Sequence, residues 1–123
     1  MLKVQLGALI VDKKTKARRA LQKKVDALLP ALRKHAEALS PRDGFVADIW
    51  TALYGDYEVE DMEQLYIHIV VRGKGNEASE FQRTLGNVFW NIVHKDDEVL
   101  HRTNLHVVTQ GEESIWRSMP KVS

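Results

Sequence analysis

The stretch "LYIHIVVRGKGNEASEFQRTL", residues 65–85, decides the fold. Its first part alternates: Ile67, Ile69 and Val71 share one face, and Tyr66, His68 and Val70 share the other. Period two and β-branched side chains predict a strand. Gly73-Lys74-Gly75 breaks the run, and the period then lengthens. Ala78, Phe81, Leu85, Val88, Phe89, Ile92 and Val93 fall on one stripe of a helix spanning residues 77–95. The stretch "KDDEVLHRT" reads as a loop, and "NLHVVTQ", residues 104–110, reads as a second strand. Strand, helix and strand in this order predict a parallel pair joined by a right-handed crossover.

The turn itself spells G-x-G-x-x-A over Gly73-Lys74-Gly75-Asn76-Glu77-Ala78. A dinucleotide site also needs an acid at the end of the second strand, to hold ribose. That strand ends Val108-Thr109-Gln110, with no acid. Glu77 and Glu80 occupy the first helical turn and would repel a phosphate there. The better reading is a tight reversal with Asn76 as helix cap. Arg72, Gly73, Lys74 and Gly75 are kept as a secondary candidate for a single anion, because backbone N–H groups at a helix start favour one.

Upstream, "DYEVEDMEQLYIHIVVR", residues 56–72, reads as two strands joined by a turn near residues 61–64. In the first of them Tyr57 and Val59 alternate with Glu58 and Glu60. Residues 40–55, "SPRDGFVADIWTALYG", predict a short helix: Ser40 as N-cap, Pro41 at the first position, Gly55 as stop. Residues 12–39 have helical period through Leu21, Val25, Leu28, Leu29, Leu32, Ala36 and Leu39, with Pro30 expected to kink or split the helix. Leu2, Val4 and Leu6 alternate with Lys3 and Gln5, so residues 2–11 predict a strand. Residues 112–119 predict one last helical turn or two. Together these give an α+β fold in one domain, residues 1–123: a small mixed β-sheet with helices packed mainly on one face, including one β-α-β unit.

Composition narrows the function. The chain has no cysteine, which removes disulfides, thiol nucleophiles and cysteine-ligated zinc. No apolar run approaches the ~20 residues of a membrane span. The basic cluster follows the first apolar run, the reverse of a secretory signal, so a cytoplasmic location is expected. Charge is sorted along the chain. Residues 1–43 hold eleven Lys/Arg and four Asp/Glu, a net +7; residues 44–123 hold seven and thirteen, a net −6. The bland account is that the basic helix packs back on the acidic half. The sharper account is that it attracts an anionic partner. Lys13, Lys14, Lys16, Arg18, Arg19, Lys23 and Lys24 lie in the first half of their helix, where the macrodipole opposes them, so local stability does not explain the placement.

Few residues suggest catalysis. His68 and His106 hold similar places in two strands and could share a face if those strands are neighbours. A catalytic zinc needs a third protein ligand, which Glu58 or Glu60 would have to supply. Asp56, Glu58 and Glu60 with Lys74 are the ingredients of a metal-dependent hydrolase, but no acid stands two residues before the lysine on its strand. Trp90 lies off the apolar stripe of its helix and is a candidate contact anchor. No catalytic residue, metal or cofactor is assigned. The expected function is a small non-enzymatic domain binding a macromolecular partner, first of all another protein, as an inhibitor, immunity or assembly-accessory type. The expected contacts are the basic residues between Lys13 and Lys24, with Trp90. Nucleic-acid binding through helix 13–24 is the alternative, a metal-dependent hydrolase the next, and self-association into a homo-oligomer is compatible with the complementary halves.

Overall fold

A computed structural model describes residues 2–55 and 63–122, with α1 side chains described from Lys13 onward. The elements are α1 (Leu2–Leu39), β1 (Val46–Gly55), β2 (Glu63–Val71), α2 (Gly75–Val93), α3 (Asp97–Arg102), β3 (Thr103–Thr109) and α4 (Gln110–Ser118). The sheet order is β1-β2-β3. β1 runs antiparallel to β2, and β2 parallel to β3. The fold is α+β with a mixed sheet, and the parallel pair brackets α2 as the sequence predicts.

The sheet has two unlike faces. Leu65, Ile67, Ile69 and Val71 of β2 turn one way, with Ile49, Thr51 and Leu53 opposite them on β1 and Leu105 and Val107 beside them on β3. On this face lies the core: Leu21, Val25, Leu32 and Ala36 of α1, Ala78, Phe81, Leu85, Phe89 and Val93 of α2, and Val99 of α3. Each large side chain buried there contributes about 1.5–3 kcal/mol before entropy is counted. Trp50, Ala52, Tyr54, Tyr66, His68, Asn104 and His106 turn the other way, under α4.

Three expected elements are corrected. Residues 2–11 are the start of α1, not a strand. Leu2 and Leu6 are also one helical turn apart, and a helix extending from a strongly periodic neighbour adds one hydrogen bond per residue fixed, without a new nucleus. Residues 46–55 are β1, not a helix. Both faces of this strand are covered, so its apolar residues fill both parities and hide the period of two. The expected helix start is a loop: Ser40 Oγ donates to Ala36 O, closing α1, and Gly44 turns the chain with φ of 75°. The expected loop after α2 contains α3, whose first turn is capped by Asp96 accepting from Val99 N at 3.3 Å. Pro30 does not split α1, which is continuous across it. The expected strand at Tyr57–Glu60 and most of its turn lie outside the described residues.

Candidate functional site

The second face of the sheet gathers a cluster of aromatic and imidazole side chains. Strand register does the gathering: Trp50 pairs with His68, and His68 with His106, across three strands. Tyr54 reaches His68 from four residues further along β1, its hydroxyl 2.9 Å from His68 Nε2. On the far side of the same ring, His68 Nδ1 lies 3.3 Å from His106 Nδ1. A hydrogen-bonded chain Tyr54–His68–His106 results. Trp50 lies 4.3 Å from the His68 ring between centroids, tilted by 38°.

α4 closes this face with one side chain. The Trp116 indole stacks on Tyr66, with centroids 5.5 Å apart, and meets His106 at 4.5 Å and His68 at 5.1 Å. Arg117 anchors the helix, donating to Asp48 at 2.9 Å and to Glu113 at 2.6 Å, with its guanidinium 4.3 Å from the Trp50 ring centroid. Beyond α4, Val122 N donates to Leu53 O at 2.8 Å, so the following segment lies along the β1 edge.

His68 is fully buried. Burial first, then His106, Arg117 and Lys121, push it down to about 4, so it is neutral at neutral pH. Burial also lowers His106, against the pull of Glu112. Burial raises the Tyr54 phenol, with Tyr66 adding to it and Arg117 opposing it. The chain therefore holds neutral groups at neutral pH. Trp50 Nε1 is buried with no hydrogen-bond partner among the described residues, a cost of about 1–3 kcal/mol. No group of three His, Cys, Asp or Glu residues able to hold a metal ion occurs among the described residues. The expected third ligands, Glu58 and Glu60, lie outside them.

The basic run of α1 is divided by the helix. At about 100° per residue, Arg18 points to the side of Leu21 and Val25, whereas Arg19 and Lys23 point away from it. Arg18 grips Glu63 at the start of β2 with two bonds, at 2.9 and 2.5 Å. This bond, with Lys14 and Arg102 adding to the field, holds the Glu63 carboxyl below its usual range. The hollow around the pair, about 170 Å3, is lined by Lys14, Leu21, Leu53, Glu98 and Arg102 as well. Lys24 pairs with Asp96 at 3.1 Å and Glu98 at 3.4 Å. Lys14 and Lys16 are also engaged with other groups of the protein. Lys13, Arg19 and Lys23 are exposed and make no ion pair among the described residues.

Trp90 is 55% exposed and stacked flat on His94, with centroids 4.5 Å apart. Along α2 it points roughly a third of a turn away from Glu77, Glu80, Phe81 and Thr84, which line a hollow beside Leu39 and Pro41.

The glycine turn is held from within. Arg42 pairs with Glu77 at 2.9 Å and donates to Arg72 O at 2.5 Å, while Arg72 donates to Gly44 O at 2.7 Å. Lys74, not Asn76, is the N-cap, and its N–H donates to Glu77 Oε1 at 3.3 Å. A carboxylate of the protein thus sits where an external anion would bind. Gly73 is required for contact: a Cβ there would lie 2.8 Å from the Phe45 ring.

Reading the sequence missed Tyr54, Trp116 and Arg117 as partners of the histidine pair. The signal for Tyr54 was present, since a strand over residues 46–55 puts Trp50 and Tyr54 on the face of His68. Trp116 is brought over by a separate helix, and no local pattern marks it. Comparison with family models, with curated proteins and with solved structures finds no match to this chain.

Proposed function

We propose that the chain is a non-enzymatic binding domain that engages an acidic protein surface through the outward ridge of α1. The observation that carries this reading is the division of the basic run. The cations turned to the body are spent on Glu63, Asp96 and Glu98, while Lys13, Arg19 and Lys23 remain exposed without an ion pair among the described residues. A helix that needed positive charge only for its own packing has no use for these three. Long-range attraction through such a ridge raises association rates and selects partners of opposite charge.

Phosphates are also anions, and one-turn spacing of Arg19 and Lys23 suits a nucleic-acid backbone. Nucleic acid is therefore the second reading. One set of experiments separates the two: affinity capture from native lysate with the wild-type chain and with Arg19→Glu/Lys23→Glu, before and after nuclease. The expected result is an acidic protein recovered in stoichiometric amount by the wild type, lost by the variant and indifferent to nuclease. Recovery of DNA or RNA, with affinity falling steeply as salt rises, moves the assignment to the second reading. Equal capture by the variant overturns both.

A further inference from the structure

The histidine pair under α4 can hold one bridging proton and no more. A hydrogen bond between His68 Nδ1 and His106 Nδ1, 3.3 Å apart, needs one nitrogen with hydrogen and one without. Two neutral rings satisfy this. So does a single charge on His106: its Nδ1–H then donates to His68, His68 Nε2–H donates to Tyr54, and Tyr54 O–H donates to Trp116 O at 3.4 Å. A second proton, on His68, sets N–H against N–H and places two like charges side by side under Trp116.

α4 is lightly held. None of its residues is fully buried, and Ile115 is 59% exposed. Its described ties are the Trp116 indole, the Tyr54 bond to Trp116 O, the Arg117–Asp48 pair, the Arg117 and Lys121 cations over the Trp50 ring and the strand-edge bond of Val122. Loss of the imidazole bond and repulsion under the indole act directly on the first two.

We propose that His68 and His106 form an acid-sensitive latch, whose second protonation releases α4 and the segment Met119–Val122 from the sheet and uncovers the aromatic face of β1, β2 and β3. The groups facing the pair bear this out in sign. Trp50 and Tyr54 of β1 and Tyr66 of β2 are neutral. Arg117 of α4 and Lys121 after it repel a charge on His68, while Glu112 of α4 favours one on His106. Asp48 and Glu113 are taken up by Arg117. In the docked state His68 resists protonation down to about 4. Released, it returns to the ordinary range near ~6.5. Release therefore takes up a proton on His68 between these values, with His106 adding to it, and its equilibrium constant rises about tenfold or more for each unit of falling pH.

The test is amide hydrogen exchange across pH 5.5–7.5, a range above the ~3.9–4.3 of ordinary carboxylates, expressed as protection relative to an unstructured peptide at each pH. Protection in residues 110–118 is expected to fall about tenfold per unit below ~6.5 and to lie well below that of α2 throughout. In His68→Gln, which keeps hydrogen-bonding capacity without a titrating ring at that position, only His106 still titrates beneath α4, so the fall of α4 protection with pH should be shallower than in the wild type. Protection in α4 that is flat in the wild type, or that equals that of α2 at every pH, overturns the latch. Should His68→Gln fail to fold, imidazole nitrogen shifts of the wild type decide. His68 gaining its proton only as α4 loses protection supports the latch, and a protonated His68 under a protected α4 overturns it.

Discussion

At the scale of single residues, the turn between β2 and α2 shows what sequence reading can reach. Two glycines stand there, and pattern alone treats them alike. Their surroundings do not. A methyl group at Gly73 meets Phe45 at 2.8 Å and Glu77 at 2.9 Å, whereas one at Gly75 meets nothing within 4 Å. Gly73→Ala is therefore expected to destabilise by about 1–3 kcal/mol, through overpacking against a core aromatic. Gly75→Ala should be neutral or stabilise by up to ~1 kcal/mol, by restricting the unfolded chain. Urea denaturation of both variants checks the contrast, and equal effects refute it. The presence of a turn was legible because glycine punctuates a period change. The asymmetry was not, because it depends on Phe45, brought against the turn by a loop 28 residues earlier. The same limit applied at the site. The histidines were visible as a matched pair in two strands, but Tyr54 and Trp116 become their partners only through tertiary pairing.

At the scale of elements, α2 and the parallel strands were legible because one period runs long enough to dominate. β1 was not, since Ile49, Leu53, Trp50 and Tyr54 fill both of its faces and mimic a broad helical stripe. α1 carries its own test. Pro30 is exposed within the continuous helix, and it has no N–H to donate to the carbonyl of Asp26. A proline in a helix interior costs ~3 kcal/mol, partly offset by its stiffening of the unfolded chain. Pro30→Ala should stabilise the protein by about 1–2 kcal/mol, read as a higher urea midpoint with unchanged slope. A lower midpoint refutes this. α4 gives the opposite case. It rests on one half-buried indole, so Trp116→Ala should lose about 2–3 kcal/mol, less than the 3–5 kcal/mol of a fully enclosed aromatic. Near-ultraviolet circular dichroism should lose the signal of the packed cluster while far-ultraviolet helicity falls only by the share of nine residues.

At the scale of the whole molecule, charge sorting and the buried histidine set the acid limb of stability. The basic helix packs back on the acidic half, but only in part: Glu63, Asp96 and Glu77 are held below their usual ranges, first by bonds to Arg18, Lys24 and Arg42 respectively. Their contribution is present above the unfolded carboxylate range and lost as pH falls through the lower folded values. His68 acts earlier and in the same direction. Its folded value of about 4 lies below the unfolded ~6.5, so the unfolded chain binds a proton that the folded chain refuses. The stability due to a neutral His68 is intact above pH ~6.5 and declines down to ~4, by about 3 kcal/mol in all at ~1.4 kcal/mol per unit. Thermal or urea unfolding should therefore weaken in two stages on acidification, a gradual one beginning near ~6.5 and a steeper one once carboxylates protonate. His68→Gln should shrink the first stage to the part His106 contributes and leave the second. Arg18→Gln should leave the first intact, because its partner Glu63 titrates only at lower pH, and should lower stability at neutral pH by under ~1 kcal/mol, as expected for a partly exposed pair. A single-stage profile unchanged by His68→Gln would show that the buried imidazole is protonated without cost, and that the sheet's second face is open to water rather than sealed by Trp116.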